Sequence, residues 1–481
     1  MTLFLIDPPR AGLLEGGSNG LVALADWVER RSPGTEVRLL DWAALPLERL
    51  EQSVAAALRG RGGNSCLVGI TAMSATYQTA LKVARAFKRV DPEVIVCLGG
   101  HHATPEAEII LQRHRDIDVI VRGEGERPLL DLVRGIPMKG VAGISYRTPF
   151  GLIAATADPP PLSTEELDSI ATDFDRLTSD AGKFGRVTIV TARGCPLGCR
   201  FCVVGRQQVR AKSIAAVISD IRRFVERGYR RFTVEDNFFA QSPGRTLALC
   251  GELAELQRAT GGFVFDCQTR VESCSEPIVA ALAEAGCDAV YLGVEALTPR
   301  QLSFLGKTSL PERFLDTLIQ KTLPALFNRG IEVGVNLQVG LPETTHEERQ
   351  ETLIRLEEIG RITRQHSGML RIFAHCHLVY PGTPEFRDGV AAMAFQRDIF
   401  ESFTQWEADQ GAMLHWLGTH FAHGAGGLPI ALLDPCRLSR NEFELLEEHV
   451  QEADDMLANV KSIGGIELFD YSPELTSVEA I

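Results

Sequence analysis

No stretch of about 18 consecutive apolar residues occurs in the chain, which excludes an ordinary membrane-spanning helix. The opening MTLFLID is too short for an export signal and carries no basic residue, so a cytoplasmic protein is expected. A surplus of basic charge is also missing: 49 Lys and Arg stand against 63 Asp and Glu, a formal net charge of −14. A sequence-independent grip on nucleic acid needs the opposite balance, because every phosphate contact takes a cation. The expected partner is a small or neutral molecule rather than nucleic acid. An even cysteine set is absent too. The 11 cysteines of a large chain without an export signal read as reduced thiols, so any cluster of them points to metal or redox chemistry.

What is present is a long alternation of apolar strands and amphipathic helices. At 481 residues the chain is long enough for two or three domains. In the first 142 residues TLFLID, TEVRLLDW, CLVGIT, VIVCLGG and DVIVRGEGE are short apolar runs, separated by helical stretches such as LVALADWVERR and ALKVARAFKRV. Nearly continuous apolar strands between amphipathic helices imply a parallel sheet covered on both faces, a doubly wound Rossmann-like domain. Ligands of such sheets lie at the carboxyl ends of the strands, here the loops after Asp7, Thr71 and Leu98.

Residues 143–186 break the pattern, with Pro159, Pro160 and Pro161 in a row, and read as a stiff connector. A second alternation over 187–390 supplies six strands: VTIVTA, FTVED, FVFDCQ, AVYLGVE, VGVNLQVG and RIFAHCHLV. Ile214, Val217, Ile218, Ile221 and Phe224 recur at the spacing of one buried helix face, with Ser213 as its cap. Six such units predict a partial TIM-like (β/α)6 barrel, whose chemistry belongs at the carboxyl ends of its strands. Residues 391–481 read as a mainly helical, acidic region, in which Trp406, His415, Trp416, His420 and His423 are candidates to cap the barrel mouth, the alternative being a packed helical core with a few surface histidines.

Directly after the first barrel strand runs RGCPLGCRFC, with Cys195, Cys199 and Cys202 at spacings of four and three. Three thiolates bind a soft metal centre but leave it one ligand short. A structural zinc site normally closes with four protein ligands, whereas an open position admits a substrate or cofactor. A zinc knuckle completed by a distant Cys or His is the alternative.

This CxxxCxxC loop, with Phe201 before its last cysteine, resembles the radical S-adenosylmethionine superfamily over about residues 187–385. The resemblance implies that the three cysteines hold a [4Fe-4S] cluster whose open iron binds S-adenosylmethionine, the source of a 5′-deoxyadenosyl radical. It also implies adenosylmethionine contacts at later strand ends: Asp236 and Asn237 in VEDNFF, Gln268 and Arg270 in QTRVE, Glu295 in LGVEA, and Gly340, Leu341 and Pro342 in VGLPETTHEE. YPGTP from Tyr380 matches the segment that follows the sixth strand.

A doubly wound domain followed by AGISYRT and the cysteine loop is similar to the cobalamin-binding branch of that superfamily. Methylthiotransferases also carry an added amino-terminal domain, but theirs supplies further cluster cysteines, and here Cys66 and Cys97 fall inside buried strands. Cobalamin domains of the DxHxxG type place a histidine where this chain has Pro9, within Asp7–Gly12, which leaves the lower axial cobalt ligand open. Thr71, Ser74, Gly99, Gly100 and His101 occupy the positions that the resemblance assigns to cobalamin contacts. RGEGE, Arg122 to Glu126, also recurs in this branch at the end of the fifth strand.

The resemblance then implies three cofactors, [4Fe-4S], S-adenosylmethionine and cobalamin, and an external reductant such as flavodoxin or ferredoxin. Its commonest reaction is methylation of an unactivated carbon, or of phosphorus, in a small-molecule or natural-product intermediate. Cyclisation, ring contraction or rearrangement with the same cofactors is the alternative outcome, and a non-catalytic sensor is a third reading.

Overall fold

The computed structural model describes residues 1–9, 19–61, 63, 65–171, 186–339, 341, 344–377, 379–391 and 467–470. Contacts divide the chain into two units, the first carrying Met1–Phe184 and the second Gly185–Val379 and Thr383–Trp406.

The first unit runs β1 (Thr2–Asp7), α1 (Asn19–Arg31), β2 (Glu36–Asp41), α2 (Leu50–Arg59), β3 (Cys66–Thr71), α3 (Tyr77–Val90), β4 (Ile95–Gly99), α4 (Ala107–Arg113), β5 (Val119–Val121) and α5 (Glu126–Val133). These five strands pair in parallel in the order β2-β1-β3-β4-β5. Successive side chains of a strand face opposite ways. Phe4 and Ile6 therefore join Val68, Ile70 and Val54 in one core, while Leu3 and Leu5 join Leu67, Leu21 and Val28 in another. Truncating a buried leucine in such a core costs about 2–5 kcal/mol, so the all-apolar run of β1 is explained by burial on both faces.

The segment expected as a connector belongs in part to this sheet. β6 (Ile144–Arg147) pairs antiparallel with β5, and β7 (Ile153–Ala155) pairs antiparallel with β6. Past the three prolines a short helix, α6 (Thr164–Asp168), caps itself with Ser163 and buries Leu167 beside Leu162 and Ile170 in the Leu3–Leu5 core. Arg127 grips Glu166 through two bonds of 2.7 and 2.8 Å. Residues 172–185 of the expected connector lie outside the described residues.

The second unit runs β8 (Val187–Ile189), β9 (Ala192–Arg193), β10 (Arg210–Ala211), α7 (Ile214–Glu226), β11 (Arg231–Val234), α8 (Pro243–Thr260), β12 (Val264–Thr269), α9 (Glu276–Glu284), β13 (Cys287–Glu295), α10 (Pro299–Phe304), α11 (Pro311–Thr317), α12 (Leu323–Asn328), β14 (Glu332–Val339), α13 (His346–Gln365), β15 (Leu370–Cys376), α14 (Pro384–Ala391) and β16 (Glu467–Asp470). Apart from the short β9–β10 pair, the strands form one parallel sheet in chain order, β8-β11-β12-β13-β14-β15-β16. Each strand lies beside its predecessor, as in a TIM-like barrel, and the edge strands β8 and β16 are not paired with each other. The six expected strands are present in the expected order. The seventh, β16, comes from the tail that reads as mainly helical.

Helix chemistry follows the sequence. Ser213 caps α7 by accepting from the Ala216 N–H at 3.2 Å, and Val217, Ile218, Ile221 and Phe224 are buried against the sheet. A π-helical turn, Leu318–Thr322, joins α11 to α12. It falls just before Pro324, which lacks the N–H that a regular α-helical ladder needs.

Candidate functional site

In the first unit the strand order reverses between β1 and β3, the point where open α/β sheets part their loops to form a crevice. Pro9, after β1, is buried, and its carbonyl accepts the Thr79 hydroxyl at 2.7 Å. Thr71 ends β3 half-buried. Beyond it the Ala72 N–H donates to Gly99 O at 2.7 Å, and the His102 N–H to Ala72 O at 3.2 Å. This close backbone crossing explains Gly100: its φ is +108°, and a Cβ there would lie 2.7 Å from Ala72 O. Gly99 has ordinary clearance.

Of the two histidines that follow, His101 is exposed and His102 is only 1% exposed. The His102 Nδ1 lies 3.0 Å from Ser74 Oγ, and its ring stacks on Tyr77 with centroids 4.1 Å apart. Sequence reasoning singled out His101. The buried partner of Ser74 is its neighbour, and the stacking Tyr77, 25 positions away, gave no local signal. Cys66 and Cys97 are buried in β3 and β4, and burial pushes both thiols above their ordinary range.

In the second unit the cysteine loop leaves the carboxyl end of β8 through a narrow neck, where β9 and β10 pair antiparallel, Ala192 to Ala211 and Arg193 to Arg210. Gly194 sits at φ +88°, where a Cβ would strike Gln208 O, and a Cβ on Gly205 would lie 2.8 Å from Leu197 O. The Gln207 N–H donates to Cys195 O at 2.8 Å and the Arg206 N–H to Leu197 O at 2.6 Å. The Arg200 N–H reaches Leu305 O at 2.9 Å, and Arg200 O accepts from the Glu385 N–H at 3.1 Å. The loop is thus tied at its neck, along its length and to two other loops.

Cys199 is buried, Cys195 and Cys202 are half-buried, and all three are free thiols. Burial pushes the Cys202 thiol up, while the Val204 and Gly205 N–H groups at its sulfur oppose the shift. Phe201 is half-buried between the last two cysteines. Among the described residues no three His, Cys, Asp or Glu side chains converge as ligands of one ion. Ligands of a cubane cluster each take a separate iron and need no such convergence. Three soft donors in one rigid loop with sulfur-directed N–H groups fit that kind of centre.

The expected adenosylmethionine contacts divide into two groups. Arg270 joins the loop, its Nη1 3.9 Å from Cys199 Sγ, while the same guanidinium holds Lys307 O and Glu272. Lys307 is only 7% exposed, and its Nζ donates to Glu295 Oε1 at 3.3 Å. Glu295 ends β13 at φ +72°, beside a register shift against β14. A left-handed backbone at a residue other than glycine costs about 1–3 kcal/mol and concentrates at functional sites. The Gln338 amide donates to Glu295 Oε2 at 3.0 Å, and the His377 ring lies between Gln338 Oε1 at 2.6 Å and Glu385 Oε1 at 3.1 Å. Lys307, Gln338, His377 and Glu385 were not foreseen, since they come from a loop, the ends of two strands and the start of a helix that only the fold brings together.

Asp236 behaves otherwise. Its Oδ1 accepts from the Thr191 and Ala192 N–H groups at 2.7 and 2.9 Å and its Oδ2 from the Thr191 hydroxyl, so it clamps the end of β8 just before the loop. Burial pushes its carboxyl up to about 6 even with these donors, and Arg245 nearby opposes the rise. Asn237 and Gln268 are exposed. Leu341 is buried, its carbonyl accepting from Thr344 Oγ1 at 2.6 Å. Gly340 and Pro342 lie outside the described residues, as do Trp406, His415, Trp416, His420 and His423.

Comparison with known proteins adds family relationships to this geometry. The B12 binding domain model matches residues 14–133, and the radical SAM superfamily model matches 189–356. An uncharacterized methyltransferase of Pyrococcus horikoshii is 28% identical over 298 residues, 60% of this chain and 63% of that protein. The anaerobic magnesium-protoporphyrin IX monomethyl ester cyclase of Rubrivivax gelatinosus is 29% identical over 305 residues, 60% of this chain and 53% of that protein. The chain therefore spans less than two thirds of the length of either relative. Among solved structures, the radical S-adenosylmethionine methyltransferase TsrM of Kitasatospora setae, with cobalamin and [4Fe-4S] cluster bound, superposes with a TM-score of 0.66 at 16% identity, covering 97% of this chain and 93% of that one. Among the described residues no helix is long and apolar enough to cross a membrane.

Proposed function

This chain is a B12-binding radical SAM protein, and we propose that it methylates an unactivated carbon or phosphorus of a small-molecule intermediate. The observation that carries the reading is the three-cysteine loop, fixed at the carboxyl end of β8 and touched by Arg270, in a chain whose first sheet has a switch point between β1 and β3. When bound, the cluster with S-adenosylmethionine supplies a carbon radical and cobalamin a transferable methyl group.

The chain's own residues hold and orient these groups. Cys195, Cys199 and Cys202 ligate the cluster, and Arg270 places positive charge on the Cys199 sulfur. Asp236 holds the root of the loop through Thr191 and Ala192 rather than meeting adenosylmethionine itself. Glu295, braced by Lys307 and Gln338, contacts adenosylmethionine, together with Phe201, Asn237, Gln268 and Gly340–Pro342. In the first unit Pro9, Thr71, Ser74, Gly99, Gly100 and His101 border the cobalamin, Gly100 because only a residue without a Cβ lets the β3 and β4 loops cross. An external reductant such as flavodoxin or ferredoxin supplies electrons.

Anaerobic reconstitution with iron, sulfide and hydroxocobalamin, followed by mass analysis of adenosylmethionine products with candidate substrates, tests the reading. Methylation consumes two adenosylmethionine molecules and releases S-adenosylhomocysteine with 5′-deoxyadenosine. The similarity to the anaerobic cyclase supports a second outcome for the same machinery, oxidative cyclisation or rearrangement, which releases 5′-deoxyadenosine without S-adenosylhomocysteine. Replacing Cys195, Cys199 or Cys202 by Ala is expected to abolish adenosylmethionine cleavage, and retained cleavage would sink both outcomes.

A further inference from the structure

The polar chain behind Glu295 has a direction that its hydrogen bonds determine. Glu295 Oε2 is an acceptor, so the Gln338 group facing it at 3.0 Å is the amide N–H, which turns Oε1 of Gln338 toward His377. His377 Nδ1, 2.6 Å from that oxygen, must then carry a proton. Its Nε2 faces Glu385 Oε1 at 3.1 Å, and one further proton sits between them, on the ring or on the carboxyl. Three of the four links are enclosed, Glu295 at 8% exposed, His377 at 1% and Glu385 at 5%, and Gln338 is half-buried. Phe304 packs edge-on against the His377 ring with centroids 6.2 Å apart, and Arg200, itself paired with Asp388, covers Phe304. The end of β14, the residue after β15 and the first turn of α14 are thereby locked to one carboxylate at the end of β13.

We infer that His377 is a positioning residue for Glu295: it fixes the Gln338 amide, which in turn fixes the carboxylate that meets adenosylmethionine. The inference rests on the proposed role of Glu295 in the adenosylmethionine site. An amide free to rotate would present either its oxygen or its nitrogen to Glu295, and the oxygen repels. Holding Gln338 in one orientation keeps Oε2 committed to it and Oε1 to Lys307, so the carboxylate keeps a single pose in spite of its left-handed backbone. Hydrogen-bond partners that orient metal ligands are worth about 10–100-fold in affinity or activity, and an effect at the lower end of that range is expected for a partner that orients a ligand-binding carboxylate.

The test measures S-adenosylmethionine binding by equilibrium dialysis on the anaerobically reconstituted full chain, with iron and sulfide content determined in parallel. His377→Asn puts an amide N–H where Nδ1 donates to Gln338. His377→Gln reaches toward Glu385 and leaves Gln338 without that donor. His377→Phe removes both bonds and keeps a ring. The expected result is a dissociation constant within about twofold of wild type for the Asn variant and about tenfold weaker for Gln and Phe, all with unchanged cluster content. Binding like wild type in the Gln and Phe variants, or equal weakening in all three, would overturn the inference. Should the Phe variant fail to fold, the Asn and Gln pair still decides. Glu295→Gln separates the premise: if that variant binds adenosylmethionine like wild type, Glu295 is not a contact and the underlying assignment fails. If it weakens binding while the Gln variant at 377 does not, only the positioning role falls.

Discussion

Replacing Asp236 by Asn should stabilise the protein at neutral pH and make no such difference in acid. The carboxyl is fully enclosed at the end of β11, and its pKa rises from 3.8 to about 6 because burial disfavours its charge more than Thr191, Ala192 and Arg245 favour it. A rise of about two units at about 1.4 kcal/mol each is about 3 kcal/mol. The sign follows from linkage: with the folded pKa above the unfolded one, the native state binds the proton more tightly between pH 3.8 and about 6. The favourable contribution is full below that window and is lost as pH rises through it. Asparagine keeps an oxygen for the Thr191 and Ala192 N–H groups, and the Thr191 hydroxyl can turn to accept from the new amide. Taking the difference between variant and wild type cancels the other titrating groups. Urea unfolding followed by circular dichroism should show the stability of Asp236→Asn relative to wild type higher by about 2 kcal/mol at about pH 8 than at about pH 4.5. A difference constant across pH, or one that shrinks as pH rises, would refute the claim that Asp236 is a buried charge held at a cost to clamp the cysteine loop.

Other perturbations probe the neighbouring parts. Arg270→Met removes the cationic donor from Cys199, so the reconstituted cluster should titrate at a more negative potential by electron paramagnetic resonance, whereas Arg270→Lys should recover part of the shift. Gly100→Ala combines a left-handed φ with a Cβ against Ala72 O, so a loss of at least about 1 kcal/mol in urea and weaker hydroxocobalamin binding by visible titration are expected. Ser213→Ala removes the α7 cap and should cost about 1 kcal/mol in unfolding free energy with cluster content unchanged.

Much of the architecture was legible because burial on both faces leaves a strong mark on sequence. Runs such as TLFLID and CLVGIT have no polar face, and the structure buries them between two helix layers. The cysteine loop was legible because its chemistry is local, three donors within eight residues. β6 and β7 were not, since short antiparallel strands ending in an edge such as Ile153–Ala155, half-covered and followed by three prolines, carry the same composition as a connector. β16 is only four residues long and sits in a stretch with helical composition. Family resemblance alone assigns Asp236 an adenosylmethionine contact, and that its oxygens face Thr191 and Ala192 is visible only in the fold. The Glu295–Gln338–His377–Glu385 chain has no local pattern, because parallel neighbours in space lie roughly 40 residues apart in sequence, the length of one strand and its return helix.

The place of β16 also bears on how the molecule is made. Its residues Glu467–Asp470 supply the outer partner of Arg371–Ala374, yet the ribosome reaches them about 265 residues after Cys202. At roughly 5–20 residues per second the interval is about 15–50 s. During that time the cysteine loop already has β8, and then each later strand, to fold against, while the outer edge of β15, complete at Cys376, waits with its backbone unpaired for the last part of it, about 5–18 s at the same rate. A nascent chain thus passes through a stage in which its metal-binding loop is formed and one flank of its sheet is still open, which is when iron and sulfur would meet least obstruction and when pairing with a neighbouring nascent chain is the main hazard.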